Sequence, residues 1–175
     1  MTLYNIKRKQ NISGYCLVCG TRNPLSLRTR FYELEDGTLA GVTAPLDEHQ
    51  SYPERVHGGI ISALLDETIG RAINVTEPDT WAVTTHLEVD FKRPVPCNQT
   101  LYCLARITSA NRKLFTGEGE LILADGRVAA TAKAKYFKQK LDIITEAGDD
   151  LFGWRPLTEE EDDLTVLEIP DRPEE

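Results

Sequence analysis

Two periodicities organise the first 140 residues. Between residues 58 and 75, Ile60, Ile61, Leu64, Leu65, Thr68, Ile69, Ala72 and Ile73 recur three and four apart, the spacing that gathers apolar side chains on one helical face. The stripe is broad, which suits a helix wrapped by a sheet better than one resting on a surface. Elsewhere the period is two. Leu25, Leu27, Thr29 and Phe31 alternate with Arg28, Arg30 and Tyr32, Asp36-Gly37 supplies a hairpin turn, and residues 39–44 return as a second strand. After Pro78, Trp81, Val83, Thr85, Leu87, Val89 and Phe91 alternate with Ala82, Thr84, His86, Glu88 and Asp90, and Pro94 and Pro96 end the run. That alternation turns Thr84 away from the face of Val83 and Thr85, and so away from the helix. Residues 100–109, 113–123 and 127–138 read as three further strands, with turns at Asn111-Arg112 and Asp125-Gly126. The predicted order is strand, strand, helix, then four strands in antiparallel succession: an α+β domain with one long helix against one curled sheet.

Periodicity stops after Lys140. Residues 141–175 hold 13 acidic residues against 2 basic ones in a chain of net charge −8, which separates a mildly basic body, residues 1–140, from an acidic tail expected to be flexible or loosely attached. A mildly basic body suits a polyanionic small molecule and is too weakly charged to argue for nucleic acid. No apolar run approaches the ~20 residues of a membrane span, and the N-terminus lacks the pattern of a secretory signal. The expected location is therefore cytoplasmic, with no membrane partner.

The cysteines suggest no metal. Cys16 and Cys19 form a Cys-x-x-Cys, but Cys97 and Cys103 make no second tight pair, and His49, His57 and His86 fall at no ligand spacing from them. They read as reduced structural thiols.

The helix start carries the chemistry. In Val56-His57-Gly58-Gly59, the first N–H groups have no partner inside the helix and sit at its positive end. Glycine lets a ligand oxygen approach that backbone without meeting a Cβ. Such a start suits a carbonyl oxygen that gains negative charge during reaction. Asp66 lies nine residues beyond His57, ~13.5 Å along the axis, too far to serve a carbonyl held at its own helix start. An antiparallel copy of the helix would bring it to the partner's site. Ser62, Ala63 and Gly70 around it are small, as though another backbone passed nearby. Glu67 stands four residues before Arg71, the order of an ion pair on a solvated face.

These residues resemble the PaaI-like branch of the hotdog-fold acyl-CoA thioesterases, the 4HBT superfamily. The resemblance rests on His57-Gly58-Gly59, on Leu64-Leu65-Asp66-Glu67, on the strand from Val83 to Val95 ending in Arg-Pro-Val, and on the segment from Tyr15 to Pro24 that holds the Cys-x-x-Cys. It covers residues 16–138 and implies a hotdog fold in which two chains join into one continuous sheet, as a dimer or a tetramer. It further implies that the Gly58 N–H polarises a thioester carbonyl, that His57 shapes the loop, and that the partner's Asp66 activates water or attacks directly. Thr84 matches a hydroxyl position that helps hold the water or the acid. Several relatives carry an asparagine six residues before the histidine as a second donor. Here that position is Ser51, so Ser51 or Gln50 substitutes or the second donor is missing.

The substrate would be an acyl-CoA and no separate cofactor is required, because the nucleophile is water. Coenzyme A carries phosphates, and Arg93, Arg112 and Lys113 are the cations placed at turns where they could meet them. Two other readings share the fold: a binder that senses acyl-CoA without cleaving it, and a hydratase or dehydratase acting on thioesters.

Overall fold

The computed structural model describes residues 1–146 and 153–173. Its strands are β1 (Thr2–Lys9), β2 (Arg30–Leu34), β3 (Leu39–Thr43), β4 (Ala82–Phe91), β5 (Leu101–Ala110), β6 (Leu114–Ile122), β7 (Val128–Lys138) and β8 (Val166–Ile169). The central helix α1 spans Gly58–Ala72 and tightens into a short 3-10 turn over Ile73–Val75; a one-turn helix α2 covers Leu141–Ile144. One antiparallel sheet orders the strands β4-β7-β6-β5-β3-β2-β1-β8. The sheet is open, with β4 at one edge and β8 at the other.

The expected α+β hotdog architecture is present: one long helix packed on a curled antiparallel sheet. Ile61, Leu64, Leu65 and Ile69 of α1 meet Phe31, Leu39, Cys103, Phe115, Leu121 and the alanines 130, 132 and 134 of β7 in one apolar core. Burying a side chain of this size is worth about 1.5–3 kcal/mol, so the stripe that defines the helix also fixes which sheet face it rides. The sheet makes room for it at Gly117 and Gly119, where an added Cβ would come within 2.7 and 2.9 Å of the Ile69 side chain.

Several expectations are corrected. The first predicted strand is shorter: residues 25–29 leave the sheet because the N–H groups of Leu27 and Thr29 bond instead to the carbonyls of Leu17 and Val18. The four later strands are not in simple succession. β5, β6 and β7 follow one another, but β4 pairs with β7 rather than β5, and residues 92–100 cross between them. Residues 2–9, to which the sequence pattern assigned no element, form β1.

The acidic segment is not loose where the structure describes it. β8 pairs with β1, Thr2 opposite Ile169 and Tyr4 opposite Leu167. Leu167 and Ile169 then cover Tyr32, Leu34, Ala40 and Ile122 on the sheet face away from α1. Asp162 accepts the Tyr32 hydroxyl at 2.7 Å and pairs with Lys9 at 3.1 Å. A Leu-Glu-Ile alternation hidden among acids, too short to stand out in the composition, is what docks it. Among the described residues no helix is long and apolar enough to cross a membrane.

Candidate active site

His57 caps α1. Its backbone is extended (φ −62°, ψ 138°), and its Nδ1 accepts the Gly59 N–H at 2.8 Å. Its carbonyl takes the N–H groups of Ile60 and Ile61 at 2.9 and 3.2 Å. The loop behind it is pinned by buried His49, whose carbonyl accepts the His57 N–H at 2.8 Å. The His49 ring accepts from the Leu46 N–H through Nδ1 and reaches the Leu25 carbonyl through Nε2, both at 2.9 Å. These bonds account for the first-turn donors save one. No described residue accepts from the Gly58 N–H; a Cβ on Gly58 would meet the Phe91 ring at 3.5 Å.

Asp66 lies two turns along the half-buried side of α1. Thr84 Oγ1 donates to its carboxylate, 3.0 Å from Oδ1 and 3.1 Å from Oδ2. The Tyr136 hydroxyl lies 2.8 Å from the Asp66 carbonyl and 3.0 Å from Oδ1. Burial raises the Asp66 pKa; the Thr84 and Tyr136 hydrogen bonds oppose that rise, and the neighbouring Glu67 adds to it. The buried Tyr136, stacked on Phe115 with ring centroids 4.7 Å apart, has its own pKa pushed far up by desolvation and by Asp66. It therefore remains a proton donor to the carboxylate.

Two sequence expectations about this acid change. Thr84 does not face away from the helix. β4 and β7 pair Thr84 with Tyr136 and His86 with Lys135, leaving Thr85 as an extra residue. This bulge reverses the alternation, so Ala82 and Thr84 share a face with Leu87 and Val89. Gly70, taken as clearance for another backbone, instead admits the Tyr136 ring, which a Cβ would meet at 3.1 Å. Tyr136 itself was missed. The signal for it was a lone aromatic hydroxyl ending the small, inward-facing series Ala130, Ala132 and Ala134.

The remaining candidates are placed apart. Ser51 is exposed in the turn before α1, its N–H bonded to the Arg55 carbonyl at 2.8 Å, while Gln50 Oε1 accepts the Glu54 N–H at 3.1 Å. Arg93 donates to the Val128 carbonyl at 2.7 Å, at the start of β7. Arg112 and Lys113 occupy the β5–β6 hairpin, where the Lys113 carbonyl accepts from Lys138 at the other end of β7. Ten residues of strand, ~33 Å, separate the two groups within one chain, so they do not form a single cationic patch there.

A cavity of about 250 Å³ opens beside Asp66, with Thr84 and Tyr136 among its walls and Trp81, Trp154 and Arg71 around it. Arg71 pairs with Glu67 at 2.7 Å as its spacing predicted, but it is 7% exposed rather than on a solvated face. It is sandwiched between Phe31 and Trp154 and donates to the Asn11 carbonyl. Cys16, Cys19 and Glu67 bring ligand-type atoms within 4.8 Å of one another. Arg71 donates to Glu67 at 2.7 Å and to Cys19 Sγ at 3.1 Å.

A helix start with one free N–H, and a carboxylate held by two hydroxyls, are the parts needed to polarise a carbonyl and activate water. The thioesterase superfamily model matches residues 54–130, which run from the turn before α1 into β7. Over this stretch the chain is similar to the thioesterase superfamily. Solved hotdog structures agree in fold. A thioesterase superfamily protein is 26% identical with a TM-score of 0.64 over 70% of this chain; the chain spans 62% of that neighbour's length. The PaaI protein of the phenylacetic acid degradation operon of E. coli is 18% identical, with a TM-score of 0.59 over 65% of this chain and 81% of that one. A hypothetical thioesterase from Streptococcus pneumoniae, solved with coenzyme A, is 16% identical, with a TM-score of 0.58 over 63% of this chain and 88% of that one. No curated protein matches the chain.

Proposed function

We propose that this chain is an acyl-CoA thioesterase acting as a homodimer, with each site built from two copies. One relation carries the reading. β4 is an edge strand, and it marks both halves of the chemistry: Thr84 bonds to Asp66 near its start, and the Phe91 ring at its end lies where a Cβ on Gly58 would meet it at 3.5 Å. The two halves lie seven residues, ~23 Å, apart on one strand. Antiparallel pairing of β4 with a second copy, centred between Leu87 and Glu88, sets residue 84 of one chain opposite residue 91 of the other. The Asp66 of one protomer then approaches the partner's Gly58. Val83 and Phe91, 40% and 54% exposed in the single chain, would be covered by the same pairing.

In this reading the thioester carbonyl oxygen accepts from the Gly58 N–H at the positive end of α1. Water held by Asp66 and Thr84 loses a proton to Asp66 and attacks the carbonyl carbon. The tetrahedral intermediate collapses, the C–S bond breaks, and the coenzyme A thiolate leaves and is protonated. The carboxylate product carries the water oxygen. No cofactor takes part. Arg93 of one chain and the hairpin cations Arg112 and Lys113 of the other meet near the twofold-related ends of the joined sheet and would receive the phosphates. The coenzyme A bound to the S. pneumoniae neighbour supports a CoA thioester as the substrate class.

The experiment is a thiol-release assay over acyl-CoAs of varied acyl group, comparing the natural chain with Asp66→Asn. The expected result is hydrolysis that the variant loses by at least about a hundredfold while the dimer persists in solution. Ligand-dependent stabilisation without thiol release would instead make the protein a binder.

A further inference from the structure

The proposed hydrolysis does not use Cys16 and Cys19, yet they are arranged with care. Their loop closes on itself: the Gly20 N–H bonds to the Cys16 carbonyl at 2.9 Å, and a Cβ at Gly20 would come within 2.4 Å of that oxygen. This tight turn points the N–H groups of Val18 and Cys19 at Cys16 Sγ, at 3.2 and 3.4 Å. The two sulfurs and the Glu67 carboxylate lie within 4.8 Å of one another. Cys16 is half-buried between the exposed side chains of Tyr15 and Leu17, whereas Cys19 is fully buried. Behind Cys19 stands the guanidinium of Arg71, itself more than nine-tenths buried, 3.1 Å from the sulfur.

We propose that Cys16 and Cys19 form a thiol–disulfide redox centre, with Cys16 as the attacking thiolate and Cys19 as the resolving thiol, exchanging with low-molecular-weight disulfides. The asymmetry assigns the roles. Only Cys16 reaches solvent, and its sulfur receives the turn's N–H groups, which stabilise a thiolate. In keeping with this geometry, hydrogen bonds from Cys19 and the backbone lower the Cys16 pKa to about 7, against burial and the charge of Glu67, whose Oε1 lies 3.8 Å from the Cys16 sulfur, while the Cys16 contact and burial push Cys19 up. Cys103, 0% exposed and shifted upward by desolvation, has none of these features.

The exchange balances. The Cys16 thiolate attacks one sulfur of the small disulfide; its S–S bond breaks, and the electron pair leaves on the first small thiolate, which takes a proton from solvent. Cys19 gives its proton to Glu67, which passes it to solvent. Its thiolate then attacks Cys16 Sγ, the mixed S–S bond breaks, and the second small thiolate leaves and takes a proton from solvent. One small disulfide is reduced to two thiols, and the two protein thiols are oxidised to one disulfide. Arg71, which links Cys19 to Glu67 and stacks on Trp154, connects this centre to the wall of the Asp66 cavity.

The test uses the full chain, reduced and then exposed to glutathione disulfide at pH 7, with peptide mapping by mass spectrometry. The expected result is a Cys16–Cys19 disulfide. It should form about threefold or more faster than the urea-unfolded chain reacts, the balance of a larger thiolate fraction against lower intrinsic nucleophilicity. Cys19→Ser should trap glutathione on Cys16, and Cys16→Ser should leave Cys19 unmodified. Replacing both Cys97 and Cys103 by serine should change nothing. A folded chain that reacts no faster than the unfolded one, modification that begins at Cys19, or a stoichiometric divalent metal retained on the pair would each overturn the proposal. Thiol release from acyl-CoA plays no part in the readout, so the outcome is independent of the hydrolase reading.

Discussion

Thr84 and Asp66, on different elements and 18 residues apart, are joined because β4 carries one residue too many. The bulge at Thr85 turns the Thr84 hydroxyl onto both oxygens of the Asp66 carboxylate. A hydroxyl donating to a carboxylate favours its charged form, so removing the donor raises the pKa of the acid. Thr84→Val is therefore expected to move the acidic limb of the kcat/KM profile upward, by up to about one pH unit, given what a hydrogen bond to a charged group is worth. Thr84→Ser should restore it. Tyr136→Phe should act in the same direction, since the Tyr136 hydroxyl is the other donor. Profiles of the three variants beside the natural chain decide the point; an unmoved limb in both Thr84→Val and Tyr136→Phe would refute the role of Asp66 as base.

The same acid should cost stability. Burial raises the folded-state pKa of Asp66 above the ordinary 3.8, with Glu67 adding to the rise. The folded state thus holds the proton more tightly than the unfolded one. Stability from this group is greatest below the unfolded value and declines as pH rises through the window between the unfolded and folded values. Above that window the penalty is constant. Asp66→Asn removes it and can still accept from Thr84 and Tyr136 through its amide oxygen. Thermal unfolding should show a higher Tm for the variant at pH 7–8, ~2–4 °C for each ~1 kcal/mol gained. The gap should close below about pH 4. A lower Tm at neutral pH would contradict the account.

The proposed sharing of the site makes a further demand on mixtures. Gly58→Pro deletes the one free N–H with little disturbance, because proline is favoured at the first helical position. The preceding residue, His57, already has the extended backbone that proline requires of its neighbour. Gly58→Pro and Asp66→Asn should each be inactive alone. Unfolded and refolded together, they should form mixed dimers in which one of the two sites keeps both natural parts, giving about a quarter of full activity for random C2 pairing. No recovery, with mixed dimers demonstrated by mass, would mean that Asp66 and Gly58 serve different sites.

How much of this was readable in advance follows from the range of each interaction. The helix and the hairpin strands were legible because their periodicity is local: Ile61, Leu65 and Ile69 declare a face without knowing what covers it. His57-Gly58-Gly59 and Asp66 were legible for the same reason, since a helix start and an axial distance need only local geometry. Thr84 was identified from family resemblance but assigned to the wrong face. A bulge is set by how β4 registers against β7, and the alternation through Thr85 carries no trace of it. Tyr136 and Trp154 reach the Asp66 cavity from 70 and 88 residues away, and pairing at that separation leaves no pattern in a single sequence. The acidic C-terminal segment misled by composition, which averaged away the Leu167 and Ile169 alternation.

That last element yields a direct test of what holds it. Charge contributes at its margins, where Asp162 meets Lys9, Arg172 meets Glu120 and the N-terminal amine meets Asp171. Except for Asp162, the groups in these pairs are at least partly exposed, and such surface pairs typically contribute 0–1 kcal/mol. Leu167 and Ile169, by contrast, are 5% and 2% exposed against the outer face of the sheet. Replacing either with alanine should cost about 2–5 kcal/mol. If apolar burial dominates, 1 M NaCl, where the Debye length falls to ~3 Å, should leave the Tm of the natural chain nearly unchanged, while Leu167→Ala and Ile169→Ala lower it at every salt concentration. Denaturant melts at low and high salt make the comparison. A chain that loosens with salt, yet tolerates both alanines within about 0.5 kcal/mol, would show that the segment is held by its charges after all.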